Sequence, residues 1–144
     1  MSARTIAVEH NGKTYSGELA TIKSTALGWE DHGILTVMLH CEWPGAGIGV
    51  GGYCLDESTG KPDYGRRGTA YGLDHLMRVM ETVGASRWEA LPGKHVIVLF
   101  DAEPGKSTWG GTACGIAHAL EDKVLIFKDH AKIWLDAKAE QVLA

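Results

Sequence analysis

The hydrophobic and polar positions follow two different periods, and the change between them falls near residue 70. The first part of the chain has short strand-like runs, two of which flank Asn11-Gly12. This dipeptide predicts a β-hairpin, because a type I′ turn needs positive φ. The apolar run at residues 33–40 predicts a central strand, and residues 45–56 are predicted to form its antiparallel partner. The polar segment 57–68 has no periodicity, so we expect a loop there.

After this loop the apolar residues recur at helical spacing: Leu73, Leu76, Met77, Met80 and Val83. This pattern predicts an amphipathic helix over about residues 70–83. Thr69 is a suitable N-cap, and Gly84 is suited to the C-terminal end.

The remaining pattern completes the predicted architecture. The runs at 95–101, 112–120 and 123–127 predict strands, and the tail at 129–143 predicts a C-terminal helix. The expected fold class is therefore α+β, with a mostly antiparallel sheet and these two helices. We expect a single compact domain over residues 1–144.

Composition limits the function without assigning one. The chain has a formal net charge of −4 in 144 residues, which argues against duplex nucleic acid as a partner. Three cysteines without CxxC spacing indicate reduced, buried thiols. The N-terminal sequence lacks the apolar core of a signal peptide, and no apolar stretch is long enough for a membrane span, so we expect a cytoplasmic protein without a membrane partner.

Glycine is enriched to 19 residues, and four glycines alternate at Gly45, Gly47, Gly49 and Gly51. Alternate residues of a strand share a face, so this strand would have one side without Cβ atoms. Such a face favours close approach of a ligand or of another backbone. Gly49 and Gly51 are therefore candidate ligand contacts; the alternative is an irregular, bulged hairpin arm.

The segment that precedes the predicted helix is suited to an anion. Arg66 and Arg67 supply guanidinium groups, Thr69 a hydroxyl, and the helix start through Gly72 free backbone N–H groups. Tyr71 is a candidate for stacking on a base. The alternative interpretation is a solvated basic loop followed by an ordinary N-cap.

Two further aromatic residues are candidates of the same kind. Tyr64, in the predicted loop, could stack on a base in place of Tyr71. Trp109 stands in a glycine-rich turn, where an exposed indole offers a stacking or interface surface.

The sequence contains no strong catalytic constellation. His32 and His75 each stand beside a carboxylate, but neighbours in sequence point apart on a strand or a helix. The seven histidines have no HxxxH or HxH spacing, so we predict no metal site. We therefore expect no catalytic residue and no cofactor.

Four stretches resemble a family of small phage and prophage proteins: residues 27–36, 51–56, 68–72 and 83–94. This family is that of the anti-Thoeris sponge proteins, which sequester cyclic ADP-ribose signals. The similarity spans residues 27–94, about half of the chain; the N-terminal hairpin and the segment around Trp109 depart from it.

The resemblance implies a non-catalytic homo-oligomer, a dimer or higher, that binds a cyclic nucleotide-derived signal through an aromatic residue and arginines. The ligand would be a cyclic ADP-ribose isomer or a cyclic oligonucleotide. Carried over by position, the resemblance implicates Thr69, Tyr71 and Gly72, with Arg66 and Arg67 beside them.

Three functions therefore compete: a sequestering binding protein that does not cleave its ligand, a protein-binding inhibitor of a host defence factor or other phage accessory protein, and a nucleotide-processing enzyme. An enzyme would use His32 or His75 as its acid–base group. A sequestering protein releases its ligand intact, an inhibitor forms a stable complex with a host protein, and an enzyme turns its ligand over.

Overall fold

A computed structural model describes residues 5–30, 33–61, 65–108 and 110–143. Within this part the chain forms the following strands and α-helices: β1 (Ile6–His10), β2 (Lys13–Trp29), β3 (Leu35–Trp43), β4 (Ala46–Cys54), β5 (Asp56–Ser58), β6 (Arg66–Gly68), α1 (Ala70–Val83), β7 (His95–Phe100), β8 (Ala113–His118), β9 (Val124–Ile126) and α2 (Phe127–Leu143).

The long strand β2 organises the main sheet. Its first part pairs with β1 on one edge and with β7 on the other, and its second part pairs with β3. The main path of the sheet runs β4-β3-β2-β7-β8-β9, and every pairing is antiparallel. The predicted α+β class is therefore confirmed.

The β1–β2 hairpin turns at Asn11 and Gly12, whose φ angles are 51° and 78°. These angles belong to the left-handed region that a type I′ turn requires at both central positions. The predicted hairpin, the β3–β4 pair and both helices are confirmed.

The predicted loop at 57–68 is wrong at both ends. Asp56–Ser58 and Arg66–Gly68 form a separate two-stranded sheet, in which Asp56 lies opposite Gly68 and Ser58 opposite Arg66. Three residues a side give too short a run for periodicity to be detected. The ribbon is held together by pairs of charged side chains, described below, and such pairs leave no signal in the hydropathy pattern.

The face of helix α1 that packs on the core only partly coincides with its apolar positions. Its buried residues are Gly72, His75, Val79, Thr82 and Val83. The core beneath it includes Ile22, Leu39, Val98, Ile116 and Phe127. Of the apolar positions that mark this helix in the sequence, Val83 is buried, Leu76 and Met80 are half-buried, and Leu73 and Met77 are exposed.

The ends of α1 are as predicted. Thr69 Oγ1 accepts a hydrogen bond from Gly72 N at 2.9 Å, and Gly84 ends the helix with φ 88°. Gly72 is required for packing, because a Cβ there would lie within 2.8 Å of Leu55 Cα. The start of α1 is thus pressed against the β4–β5 junction.

The cysteines only partly fit the expectation of buried thiols. Cys41 is buried, Cys114 is half-buried, and Cys54 is exposed at the end of β4. Among the described residues, no helix combines the length and the apolar character needed to cross a membrane.

Candidate functional site

A pocket of about 640 Å³ opens where the start of α1, the β4–β6 region and α2 meet. Its walls are formed by Tyr53, Cys54, Asp56, Glu57, Gly68, Thr69, Ala70, Tyr71, Ala131, Trp134, Leu135 and Ala137. The volume falls within the range of roughly 300–1,000 Å³ that is typical of small-molecule sites. The pocket is the candidate functional site.

The start of α1 forms one wall of this pocket. Thr69 caps the helix and also donates its hydroxyl hydrogen to Leu55 O at 3.0 Å, which ties the helix start to the sheet. Ala70 and Tyr71 follow directly and line the pocket. The positive end of the helix dipole therefore faces the pocket and favours a negatively charged group.

Arg66 binds a carboxylate of this chain. Its Nε donates to Asp56 Oδ2 at 2.7 Å and its Nη2 to Asp56 Oδ1 at 3.1 Å, while Leu35 N donates to the same carboxylate. The Arg66 guanidinium lowers the pKa of Asp56 to about 2. The Asp56 side chain is only 1% exposed, so this bidentate pair holds β5 and β6 together.

Arg67 lies at the surface on the same ribbon. Its Nε donates to Glu57 Oε1 at 2.9 Å, and its side chain is largely exposed. Ion pairs in solvent contribute little to stability, so this guanidinium can exchange partners at little cost. Of the two predicted arginines, Arg67 has the more exposed side chain, but neither arginine lines the pocket, and Arg67 adjoins it only through its partner Glu57.

Three aromatic side chains line the pocket: Tyr53 from β4, Tyr71 from α1 and Trp134 from α2. The indole of Trp134 is fixed by a hydrogen bond from Nε1 to Asp74 Oδ2 at 3.2 Å. In the sequence, Trp134 is simply one of the apolar residues of the predicted C-terminal helix. Its partner Asp74 lies 60 residues earlier, a separation that no local pattern indicates.

A buried imidazole pair supports the aromatic wall from behind. The rings of His75 and His130 lie 5.9 and 5.4 Å from the ring of Tyr71, and His130 Nε2 donates to Asp74 Oδ2 at 2.6 Å. Burial raises the pKa of Tyr71 to about 12 and lowers that of His75 to about 4. Burial opposes ionisation of Asp74, but hydrogen bonds from His130 and Trp134 outweigh it and lower the pKa of Asp74.

Burial limits the chemistry that these side chains can perform. His75 is 1% exposed, so it is not placed to exchange protons with a substrate in the pocket. Tyr71 Oη is buried and has no hydrogen-bond partner among the described residues. An unpaired buried hydroxyl of this kind costs stability, and its burial keeps it out of reach of a ligand in the pocket.

The space beside Gly49 and Gly51, by contrast, is occupied by atoms of the neighbouring strand β3. Neither residue lines the pocket. A Cβ at Gly49 would lie 2.9 Å from Met38 Sδ, and one at Gly51 would lie 2.7 Å from Val37 O. At Gly51 the close approach is that of the β3 backbone, one of the alternatives considered above, whereas at Gly49 it is that of the Met38 side chain.

A second pocket, of about 570 Å³, lies between β4 and the segment around residues 106–111. Gly47 and Lys106 line it, far along β4 from the first pocket. The predicted site residues Trp109, Tyr64 and His32 lie outside the described residues. Among the residues that are described, no three His, Cys, Asp or Glu side chains are grouped as metal ligands would be.

No protein family, curated protein or solved structure that we compared matches this chain.

Proposed function

We propose that the protein binds a small nucleotide-derived signal in the pocket between α1, the β5–β6 ribbon and α2, and withholds it without cleaving it. The observation that carries the proposal is the convergence of three aromatic side chains and a helix N-terminus on one 640 Å³ pocket. Aromatic faces suit a base, and the helix start with Arg67 suits a phosphate. The protein would act in the cytoplasm.

The pocket chemistry favours binding over turnover. Asp56, the buried carboxylate of the wall, is held ionised by Arg66, and Tyr71 keeps its proton because burial raises its pKa to about 12. Neither group is tuned for proton transfer near neutral pH. The resemblance of residues 27–94 to sponge proteins makes cyclic ADP-ribose isomers and cyclic oligonucleotides the probes to use first.

The test is thermal stabilisation of the purified protein by these probes, followed by heat release and chromatography of any that bind. We expect a stabilising compound to be recovered intact. Recovery of a chemically altered compound would instead indicate an enzyme. Absence of stabilisation by every probe would contradict the proposal.

A pair of tryptophan variants assigns the binding to this pocket. Trp134→Ala removes an aromatic wall and should weaken binding by roughly fivefold to a hundredfold, since a stacked base contributes roughly 1–3 kcal/mol. Trp29→Ala is the matched control, because Trp29 is exposed at the end of β2 and does not line the pocket. An equal loss of ligand affinity in both variants would mean that the ligand does not bind in this pocket.

A second candidate, a protein-binding inhibitor, is favoured by one observation. Leu27 and Trp29 are exposed and lie two residues apart on β2, so they share one face of the strand. Paired apolar side chains of this kind suit a protein partner. If this candidate is right, the protein forms a stable complex with a host protein. Trp29→Ala should abolish that complex and leave ligand binding unchanged.

A further inference from the structure

Helix α2 is well buried at its start and weakly buried beyond it. Phe127 and His130 are buried against the rest of the protein. In residues 131–137, which we call the outer segment of α2, every side chain is half-buried or exposed, and Ile133 and Leu135 are each 66% exposed. Since burial of apolar surface supplies most of the free energy that holds an element in place, the outer segment is the weakly held part of α2.

The outer segment is also the part of α2 that builds the pocket. It supplies the wall residues Ala131, Trp134, Leu135 and Ala137. The opposite side of the pocket is formed by the start of α1 and the β4–β6 region, which pack on the core. Entry to the pocket and release from it therefore depend on what holds the outer segment down.

A single oxygen atom of α1 receives both hydrogen bonds that join the two helices. Asp74 Oδ2 accepts from His130 Nε2 at 2.6 Å and from Trp134 Nε1 at 3.2 Å. The bond from His130 fixes the buried start of α2, and the bond from Trp134 ties down the outer segment. The other carboxylate oxygen, Oδ1, lies 3.6 Å from Arg78 Nε, which helps to orient the group.

We infer that Asp74 is a positioning residue that latches the outer segment of α2 over the pocket through Trp134, and that the pocket opens when this bond breaks. Asp74 itself does not line the pocket, so it acts on a ligand only through the indole. The inference rests on the proposed function in one respect, that the pocket holds a ligand.

The latch and the ligand stabilise each other. A base stacked on Trp134 favours the position in which the indole also donates to Asp74, and by linkage the closed latch favours the bound base. A protein that withholds a signal must release it slowly, and differences in affinity are expressed mostly in the rate of dissociation. The Asp74–Trp134 bond is therefore expected to control how long the ligand stays bound.

Hydrogen exchange of the free protein tests the latch without a ligand. Trp134→Phe removes the indole N–H and keeps an aromatic ring on the pocket wall. We expect the backbone amides of residues 131–137 to exchange at least about fivefold faster, and those of α1 to be unchanged, because a lost hydrogen bond to a carboxylate lowers the free energy of local opening. Asp74→Leu should have the same effect. Asp74→Asn should restore slow exchange, because one amide oxygen can accept both bonds, as Oδ2 does.

Trp88→Phe is the matched control for this experiment. Its indole Nε1 also donates a side-chain hydrogen bond, to Thr25 Oγ1 at 3.1 Å, and Trp88 does not line the pocket. This variant should leave exchange in residues 131–137 as it is in the wild type. Unchanged exchange there in Trp134→Phe, or an acceleration spread evenly over the whole chain, would overturn the latch.

Stopped-flow binding of cyclic ADP-ribose tests the consequence for retention. We expect Trp134→Phe to release this probe at least about fivefold faster without slower association, and Asp74→Asn to stay within about twofold of the wild-type rate. Slower association with unchanged dissociation would indicate a merely damaged pocket and would overturn the role in retention. If the wild type does not bind cyclic ADP-ribose, the result counts against the proposed ligand, whereas the latch is still decided by hydrogen exchange.

Discussion

At the scale of single residues, Gly49 and Gly51 show how two members of one sequence pattern differ in what they tolerate. Both lie on β4 against β3. Gly51 has φ 120° and a backbone oxygen, Val37 O, where its Cβ would be, whereas Gly49 faces the flexible side chain of Met38. A flexible side chain can move aside, and a paired backbone carbonyl cannot.

We therefore expect Gly51→Ala to lower the free energy of unfolding by more than about 2 kcal/mol and Gly49→Ala by less than about 1 kcal/mol. Urea unfolding followed by far-UV circular dichroism measures both changes. Each variant is the control for the other, since they make the same chemical change two residues apart on one strand. Equal urea midpoints for the two variants would show that β4 relaxes away from β3 when a Cβ is added.

The pair of Asp56 and Arg66 gives stability a defined pH dependence. The pKa of Asp56 is lowered from its ordinary value of 3.8 to about 2 in the folded protein. A lowered folded-state pKa contributes stability that is present above about pH 4 and is lost as the pH falls towards 2. This contribution depends chiefly on the hydrogen bonds from Arg66.

Arg66→Gln should therefore lower the melting temperature most at neutral pH, and the gap to the wild type should narrow as the pH falls from 4 towards 2. Scanning calorimetry across that range measures the gap. Arg67→Gln is the control, because its ion pair with Glu57 is largely exposed and should contribute little at any pH. A gap that does not change with pH would show that Arg66 acts by packing alone.

At the scale of secondary-structure elements, the sequence predicts an element well when the residues that form it lie close together along the chain. The hairpin at Asn11-Gly12 and the cap at Thr69 were predictable because each depends on residues within one turn of the chain. The β5–β6 ribbon was not, since it is held by the Arg66–Asp56 pair across ten residues and has no apolar period. Pairing of charged side chains carries no hydropathy signal.

Helix α1 shows a different limit of sequence analysis. Its bounds agree with the prediction, but its apolar period indicates a buried face without indicating what buries it. The sheet instead takes the side with Gly72, because a helix can approach the Leu55 backbone closely only where a residue has no Cβ. The close contact at Gly72 thus lies on the same side of the helix as Val79 and Val83, which are buried in the core.

The candidate site was predictable in the same uneven way. Thr69 and Tyr71 line the pocket. The sequence pointed to both residues because it predicts the start of the helix that carries them. Trp134 and Tyr53 were missed, since they reach the pocket from α2 and β4, far from it along the chain. Such residues are found only when the fold brings distant elements together.

At the scale of the whole molecule, α1 separates two surfaces. Tyr71 and the cap Thr69 face the pocket, whereas Leu73 and Met77 face outward. The proposed ligand would then contact only one side of the helix. Variants on the two sides should therefore differ in their effect on ligand binding.

Leu73→Glu should leave the affinity for a stabilising nucleotide within about twofold of the wild type, because the change removes no pocket contact. Trp134→Ala should lose most of that affinity, because it removes an aromatic wall of the pocket. Isothermal titration of both variants measures the two affinities. If Leu73→Glu instead loses the ligand, the exposed side of α1 takes part in binding, and the assignment of the ligand to the pocket side of the helix is refuted.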